Sequence, residues 1–127
     1  MMAHGIDLIE LQRIQRLMTK ESFLRRVYTK GELSLLQDRS EQRQVELLAG
    51  RFAAKEAAYK ALMSLIVENA KTTFTWQDFE ILQNNQGAPI LLFHHTAETW
   101  LTTCRITSRL VSLTHTKEHA LASVILC

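Results

Sequence analysis

The chain has 127 residues, of which 46% are apolar and 22% charged, enough apolar side chain for one core and too much for a disordered chain. Its net charge of +2 does not by itself call for nucleic acid, and its two cysteines, with no CxxC spacing, form no disulfide framework. No apolar run approaches the ~18 residues of a membrane span, and Asp7 and Glu10 interrupt the N-terminus before a signal peptide's apolar stretch develops. The expectation is a single domain over residues 1-127, reduced and cytoplasmic, with no membrane or nucleic-acid partner.

In chain order, residues 4–11 read as a short strand that carries Asp7. Residues 11–18 place Leu11, Ile14, Leu17 and Met18 on one helical stripe. Thr19 is expected to cap a second short helix with Glu21 in its first turn, and Thr29 with Glu32 forms the capping box of a third. The basic residues Arg13, Arg16, Lys20, Arg25, Arg26 and Lys30 stand in this region against one acid, Glu21, and make a local positive patch.

A long helix is expected from about Glu41 to about Val67. Ala53, Ala54, Ala57, Ala58 and Ala61 give it one smooth face. Its other side carries Arg51, Lys55, Glu56 and Lys60, with Phe52 and Tyr59 among them. One acid among three bases points to a site that handles anions and a cation, or to a solvated face carrying a Glu56–Lys60 pair at i,i+4. Gly50 costs ~1 kcal/mol relative to alanine in a helix interior, so it is expected to mark a close approach by backbone or ligand.

The period then changes. Phe79–Gln83 is a strand, Asn84–Gly87 a turn, and Pro89–Phe93 the next strand. Thr96–Leu101 is a short helix, and Arg105–Leu113 and Ala120–Leu126 have the Val, Ile, Leu and Thr content of strands. The order gives an α+β fold: an N-terminal strand, several helices including one long one, then a mostly antiparallel sheet. In the last strand Leu121, Ser123 and Ile125 alternate with Ala120, Ala122, Val124 and Leu126. Both faces are largely apolar, and a small domain covers the second most easily with another subunit.

Three pieces carry chemistry: Asp7 after Gly5-Ile6, Glu56 on the long helix, and the strand end Ser112-Leu113-Thr114-His115-Thr116. Two carboxylates without a Cys/His cluster suit Mg²⁺, which takes one or two carboxylates, phosphate oxygens and waters. Arg, Lys, His and hydroxyls suit phosphate. No Walker or GxGxxG loop is present.

Gly5-Ile6-Asp7 with Glu10 and Arg13, then Arg51-Phe52-Ala53-Ala54-Lys55-Glu56-Ala57 with Lys60-Ala61, then Ser112-Leu113-Thr114-His115 with Ala120 resemble the signatures of the small 4′-phosphopantetheinyl transferases, the holo-acyl-carrier-protein synthase type. The resemblance implies transfer of the 4′-phosphopantetheine arm of coenzyme A to a serine of apo acyl carrier protein, in fatty acid biosynthesis. It implies Mg²⁺ held by Asp7 and Glu56, and a homotrimer with coenzyme A between neighbours. Arg51, Lys60, His115 and Thr116 fall on coenzyme A positions, with Glu56, Lys60 and His115 at the chemistry. Arg13 and Arg26 fall near the carrier-protein contact. Glu56, His115 and a metal-held water are the possible general bases, and the water is preferred because Glu56 serves as a ligand.

The chain departs from that family's pattern in three places. Leu62–Val67 lacks the glycine-rich turn that follows Lys60-Ala61, Ala88 stands where a basic residue is usual, and Ala3 replaces the first glycine of a Gly-x-Gly start. The first change implies that the helix runs on. Two further readings are a non-enzymatic module that binds an acidic protein or nucleic acid through its basic patch, and a transferase for a specialised carrier protein.

Overall fold

A computed structural model describes residues 1–67 and 72–127. Strand β1 (Ala3–Glu10) leads directly into helix α1 (Leu11–Leu17), then α2 (Glu21–Val27), α3 (Lys30–Ser34) and the long α4 (Glu41–Met63). A 3₁₀ turn (Trp76–Asp78) precedes the hairpin β2 (Phe79–Gln83) and β3 (Pro89–Phe93). Helix α5 (His95–Thr103) and strands β4 (Arg109–His115) and β5 (His119–Leu126) complete the chain. The order β1-β5-β4 makes one antiparallel sheet, and β2-β3 makes a second.

Helix α4 lies across the three-stranded sheet on its alanine face. Ala53, Ala54, Ala57, Ala58 and Ala61 are all fully buried. From the sheet, Ala3, Gly5 and Ile9 of β1 and Ala120, Ala122, Val124 and Leu126 of β5 turn to the same core. Gly5 fixes the contact, because a Cβ on it would stand 1.9 Å from the carbonyl oxygen of Ala57. Only glycine lets the strand backbone lie on the helix backbone there. Gly50, the glycine singled out by its place in a helix, has a looser neighbour, with Leu113 Cδ1 3.7 Å from its ideal Cβ.

Four local expectations are corrected. Thr19 does not cap α2, whose N-cap is Lys20; its hydroxyl donates back to the Arg16 carbonyl at the end of α1. Helix α4 ends at Met63 instead of Val67, where Ser64 and Leu65 turn their amides back to Lys60 and Leu62. The absent glycine-rich turn therefore does not let the helix run on. The strand expected from Arg105 starts at Arg109, because Arg105 takes a left-handed conformation (φ 60°) and ends α5. There the amide of Ile106 donates to Leu101 O and that of Arg105 to Thr102 O, the double bond of a Schellman cap. Helix α5 itself is longer than Thr96–Leu101 at both ends.

Gly5→Ala is expected to lower the urea midpoint by the equivalent of at least ~2 kcal/mol, since strand and helix must part. Gly50→Ala is expected to be neutral or stabilising by up to ~1 kcal/mol, from helix propensity. Equal midpoints for Gly5→Ala and the parent chain would contradict this packing.

Candidate active site

The bases of α4 do not converge on one site. Lys55 is fully buried, 2.7 Å from Glu32 Oε1. Its amine donates to Val27 O at 2.7 Å, Phe79 O at 2.7 Å and Trp76 O at 3.0 Å. Burial pushes the proton affinity of Lys55 down, and Glu32 works against this. With its protons spent on carbonyls and one carboxylate, Lys55 has none for a substrate. Arg51 is also buried, with its Nε bound to Ile81 O at 3.2 Å. The sequence expectation of one acid among three gathered bases is corrected accordingly.

Two separate clusters remain. The first lies where β1 crosses α4. Asp7 shares the inward parity of Gly5, and Lys60 Nζ reaches its Oδ1 at 3.0 Å and Ile6 O at 3.1 Å. Glu56 lies one helical turn before Lys60. Burial raises the Glu56 carboxyl above its usual range and the charge of Asp7 raises it further, while Lys60 and Arg13 pull it back. Arg13 comes from α1, its guanidinium 5.5 Å from the centre of the Phe52 ring. Glu56 also borders a cleft of about 230 Å³ walled by Tyr59, Phe74, Trp76 and Phe79.

The second cluster lies at the β4 edge. Arg43, Glu46, Arg51, Thr114 and His115 line a cleft of about 180 Å³ with Gln83 and Pro89 of the hairpin. His115 Nε2 is 3.6 Å from Glu46 Oε1. For Glu46, desolvation works upward but is outweighed by the hydrogen bonds of Gln42 and Arg43 and the charge of His115, which hold its carboxyl low. Lys60 and Glu46, the partners of Asp7 and His115, are fourteen residues apart, about 21 Å along the helix axis. The two clefts share no lining residue. His115 and Arg51 thus do not join Asp7 and Glu56 within one chain.

The remaining residues divide between surface and turn. Thr116 caps the β4–β5 turn, its hydroxyl accepting from the amides of Glu118 and His119. Arg26 is exposed near the end of α2. Arg43, Glu46 and the hairpin lip were not legible as site residues, since an Arg–Glu pair at i,i+3 reads as an ordinary solvated helix face.

The first cluster fits a hard cation. Among the described residues no group of three or more His, Cys, Asp or Glu converges to hold a metal. Asp7 and Glu56, with the Glu56 carboxyl raised by burial and by the charge of Asp7 and no soft donor between them, are the donor type that a hard cation takes alongside phosphate oxygens and waters.

The model of the 4′-phosphopantetheinyl transferase superfamily matches residues 3–123. A holo-acyl-carrier-protein synthase of Geobacillus is 39% identical over 123 residues, covering 96% of this chain and 92% of that protein. The crystal structure of the Bacillus anthracis synthase in complex with CoA (3′,5′-ADP) has a TM-score of 0.72 at 33% identity, covering 98% of this chain and 94% of that one. The Helicobacter pylori synthase, in complex with coenzyme A, has a TM-score of 0.77 at 27% identity, covering 98% and 99%.

Because the proton affinity of Glu56 is higher in the folded chain, its contribution to stability is full below its ordinary value of 4.5 and is lost as pH rises through the raised value. At pH 7 without divalent cation, Glu56→Gln is therefore expected to melt at or above the parent temperature, the gain fading in acid. Mg²⁺ is expected to raise the parent's melting temperature and not the variant's. A variant that melts well below the parent at pH 7 would contradict this electrostatic reading.

Proposed function

The chain belongs to the 4′-phosphopantetheinyl transferase superfamily, and on that premise we propose that it moves the 4′-phosphopantetheine arm of coenzyme A to a serine of an apo acyl carrier protein, releasing adenosine 3′,5′-bisphosphate. The observation that carries this reading is the meeting of Asp7, Glu56, Lys60 and Arg13 where β1 crosses α4. In the reaction the serine oxygen bonds to the β-phosphorus of coenzyme A and the phosphoanhydride bond breaks. Charge then grows on the phosphoryl oxygens and on the departing nucleotide.

Among the described residues, Lys60 and Arg13 stand beside the two carboxylates to stabilise that charge. Mg²⁺, held by Asp7 and Glu56, would neutralise the pyrophosphate when bound. The serine proton has side-chain acceptors in the imidazole of His115 and, where it does not serve as a metal ligand, the carboxylate of Glu56. Arg51, Arg43 and His115 at the β4 edge suit the phosphates of the nucleotide half.

The two halves of this chemistry lie about 21 Å apart along α4 and at opposite edges of the β1-β5-β4 sheet, so a complete site needs the β1 edge of one copy beside the β4 edge of another. The outward sheet face supports such an assembly. Ile6, Leu8 and Leu110 are 51%, 60% and 57% exposed there, beside the half-buried Leu121 and Ile125. That is a large apolar surface for a monomer to leave open. We read the assembly as a closed homotrimer of single-domain chains, 1-127. No helix among the described residues is long and apolar enough to cross a membrane. With both cysteines free, the reading places the enzyme in the cytoplasm.

Mass spectrometry of apo acyl carrier protein incubated with the chain and coenzyme A tests the transfer. One phosphopantetheine added per carrier, only with Mg²⁺ present, is the expected result. An unchanged carrier mass would refute the reading. Arg26→Glu is expected to raise KM for the carrier at least about tenfold at low salt while leaving KM for coenzyme A within about twofold. Equal loss for both substrates would remove Arg26 from the docking surface.

A further inference from the structure

Helix α2 is seven residues long and carries Arg25 and Arg26 in its last turn. Its final carbonyls, which an isolated helix leaves to water, are taken up by side chains from distant elements. Gln77, in the 3₁₀ turn, directs its amide nitrogen at Tyr28 O (2.8 Å), Arg25 O (2.9 Å) and Arg26 O (3.4 Å). The carbonyl between them, Val27 O, accepts from the buried amine of Lys55. All four carbonyls at this helix end are therefore held by α4 and by the turn beside it.

The same turn also reaches the other docking arginine. Trp76 lies against Phe52, with ring centres 4.9 Å apart. Phe52 in turn faces Phe23 of α2 at 6.3 Å and carries the Arg13 guanidinium over its ring. The turn is itself braced. Asp78 is buried, its carboxylate accepting from the amide and hydroxyl of Thr75, and its carbonyl accepts from the His94 amide. Trp76 also walls the cleft that Glu56 borders. Arg13 on α1 and Arg26 on α2 are thus held in relation to each other, and to Glu56, through residues 76 and 77.

We propose that Gln77 is a positioning residue for the carrier protein: by capping α2 from the turn beside Glu56, it sets the spacing of Arg13 and Arg26 and delivers the carrier's serine to the site. It touches no reacting atom. The inference rests on the transfer reading and on Arg13 and Arg26 as the docking residues.

Gln77→Glu keeps the side chain's size but puts an anion against three carbonyl oxygens, whereas Gln77→Lys restores a donor. Losing these bonds is expected to raise KM for apo carrier protein about tenfold in Gln77→Glu. The turnover number at saturating carrier, KM for coenzyme A and the inhibition constant of adenosine 3′,5′-bisphosphate are expected to stay within about twofold. Gln77→Lys is expected to recover most of the carrier KM. A merely structural role would lower turnover and both affinities together in Gln77→Glu, or would leave Gln77→Lys as defective as Gln77→Glu; either result overturns the inference. So does an unchanged carrier KM in Gln77→Glu while the parent chain transfers normally. A parent chain that makes no holo carrier would refute the transfer reading first, and this inference with it.

Discussion

One contact sets the rest of this molecule: the backbone of β1 at Gly5 lying on the backbone of α4 at Ala57. No side chain stands between them, and even a methyl group would have to occupy the Ala57 carbonyl. The approach requires a hydrogen at position 5 and methyls along α4, which the alanine run supplies. Asp7 is two residues further along the same face of β1. The contact therefore brings its carboxylate to Lys60 and within electrostatic reach of Glu56. A bulkier α4 would keep its helix and lose the pairing of those two carboxylates.

The second constraint is a buried charge. Lys55 and Glu32 are both fully out of water and 2.7 Å apart. Such a pair recovers its desolvation cost only when hydrogen bonds satisfy the remaining protons and lone pairs. Here three carbonyls serve Lys55, and the amides of Thr29 and Ile81 serve Glu32. The pair ties α2, α3, α4, the 3₁₀ turn and β2 to one point. It also decides which charges of α4 face outward. Lys55 is taken inside, so Glu56 and Lys60 are left at the surface on the β1 side.

These two constraints also mark the limit of what the sequence reveals. The alanine stripe, the Thr29–Glu32 capping box, the β2–β3 turn and the α+β order are local patterns and could be read directly. Glu32 shows the boundary: its role in the cap follows from a spacing of three, but its hold on Lys55 joins residues twenty-three apart and has no local signature. The two glycines exchange importance for the same reason. Gly50 is conspicuous because helices disfavour glycine, whereas Gly5 matters through Ala57, fifty-two residues away. Residue types, together with the family resemblance, pointed to Asp7, Glu56, Lys60, Arg51 and His115 as candidates for phosphate and metal chemistry. Helical periodicity places Arg51 and Glu56 on one long element, but it does not say which edge strand each meets. The division of the site into two clefts could be seen only in three dimensions.

That division carries the proposed assembly: each copy offers Asp7, Glu56 and Lys60 at one edge and Arg51 and His115 at the other, and in the proposed enzyme a working site joins unlike edges of two copies. The most direct test mixes two inactive variants, Glu56→Gln and His115→Ala, under conditions that let subunits exchange, and measures transfer to apo carrier protein. Sites that pair an intact β1 edge with an intact β4 edge should form, and a substantial fraction of parent activity should return on mixing. Activity that stays at the level of the separate variants, after exchange has been demonstrated, would contradict the shared site.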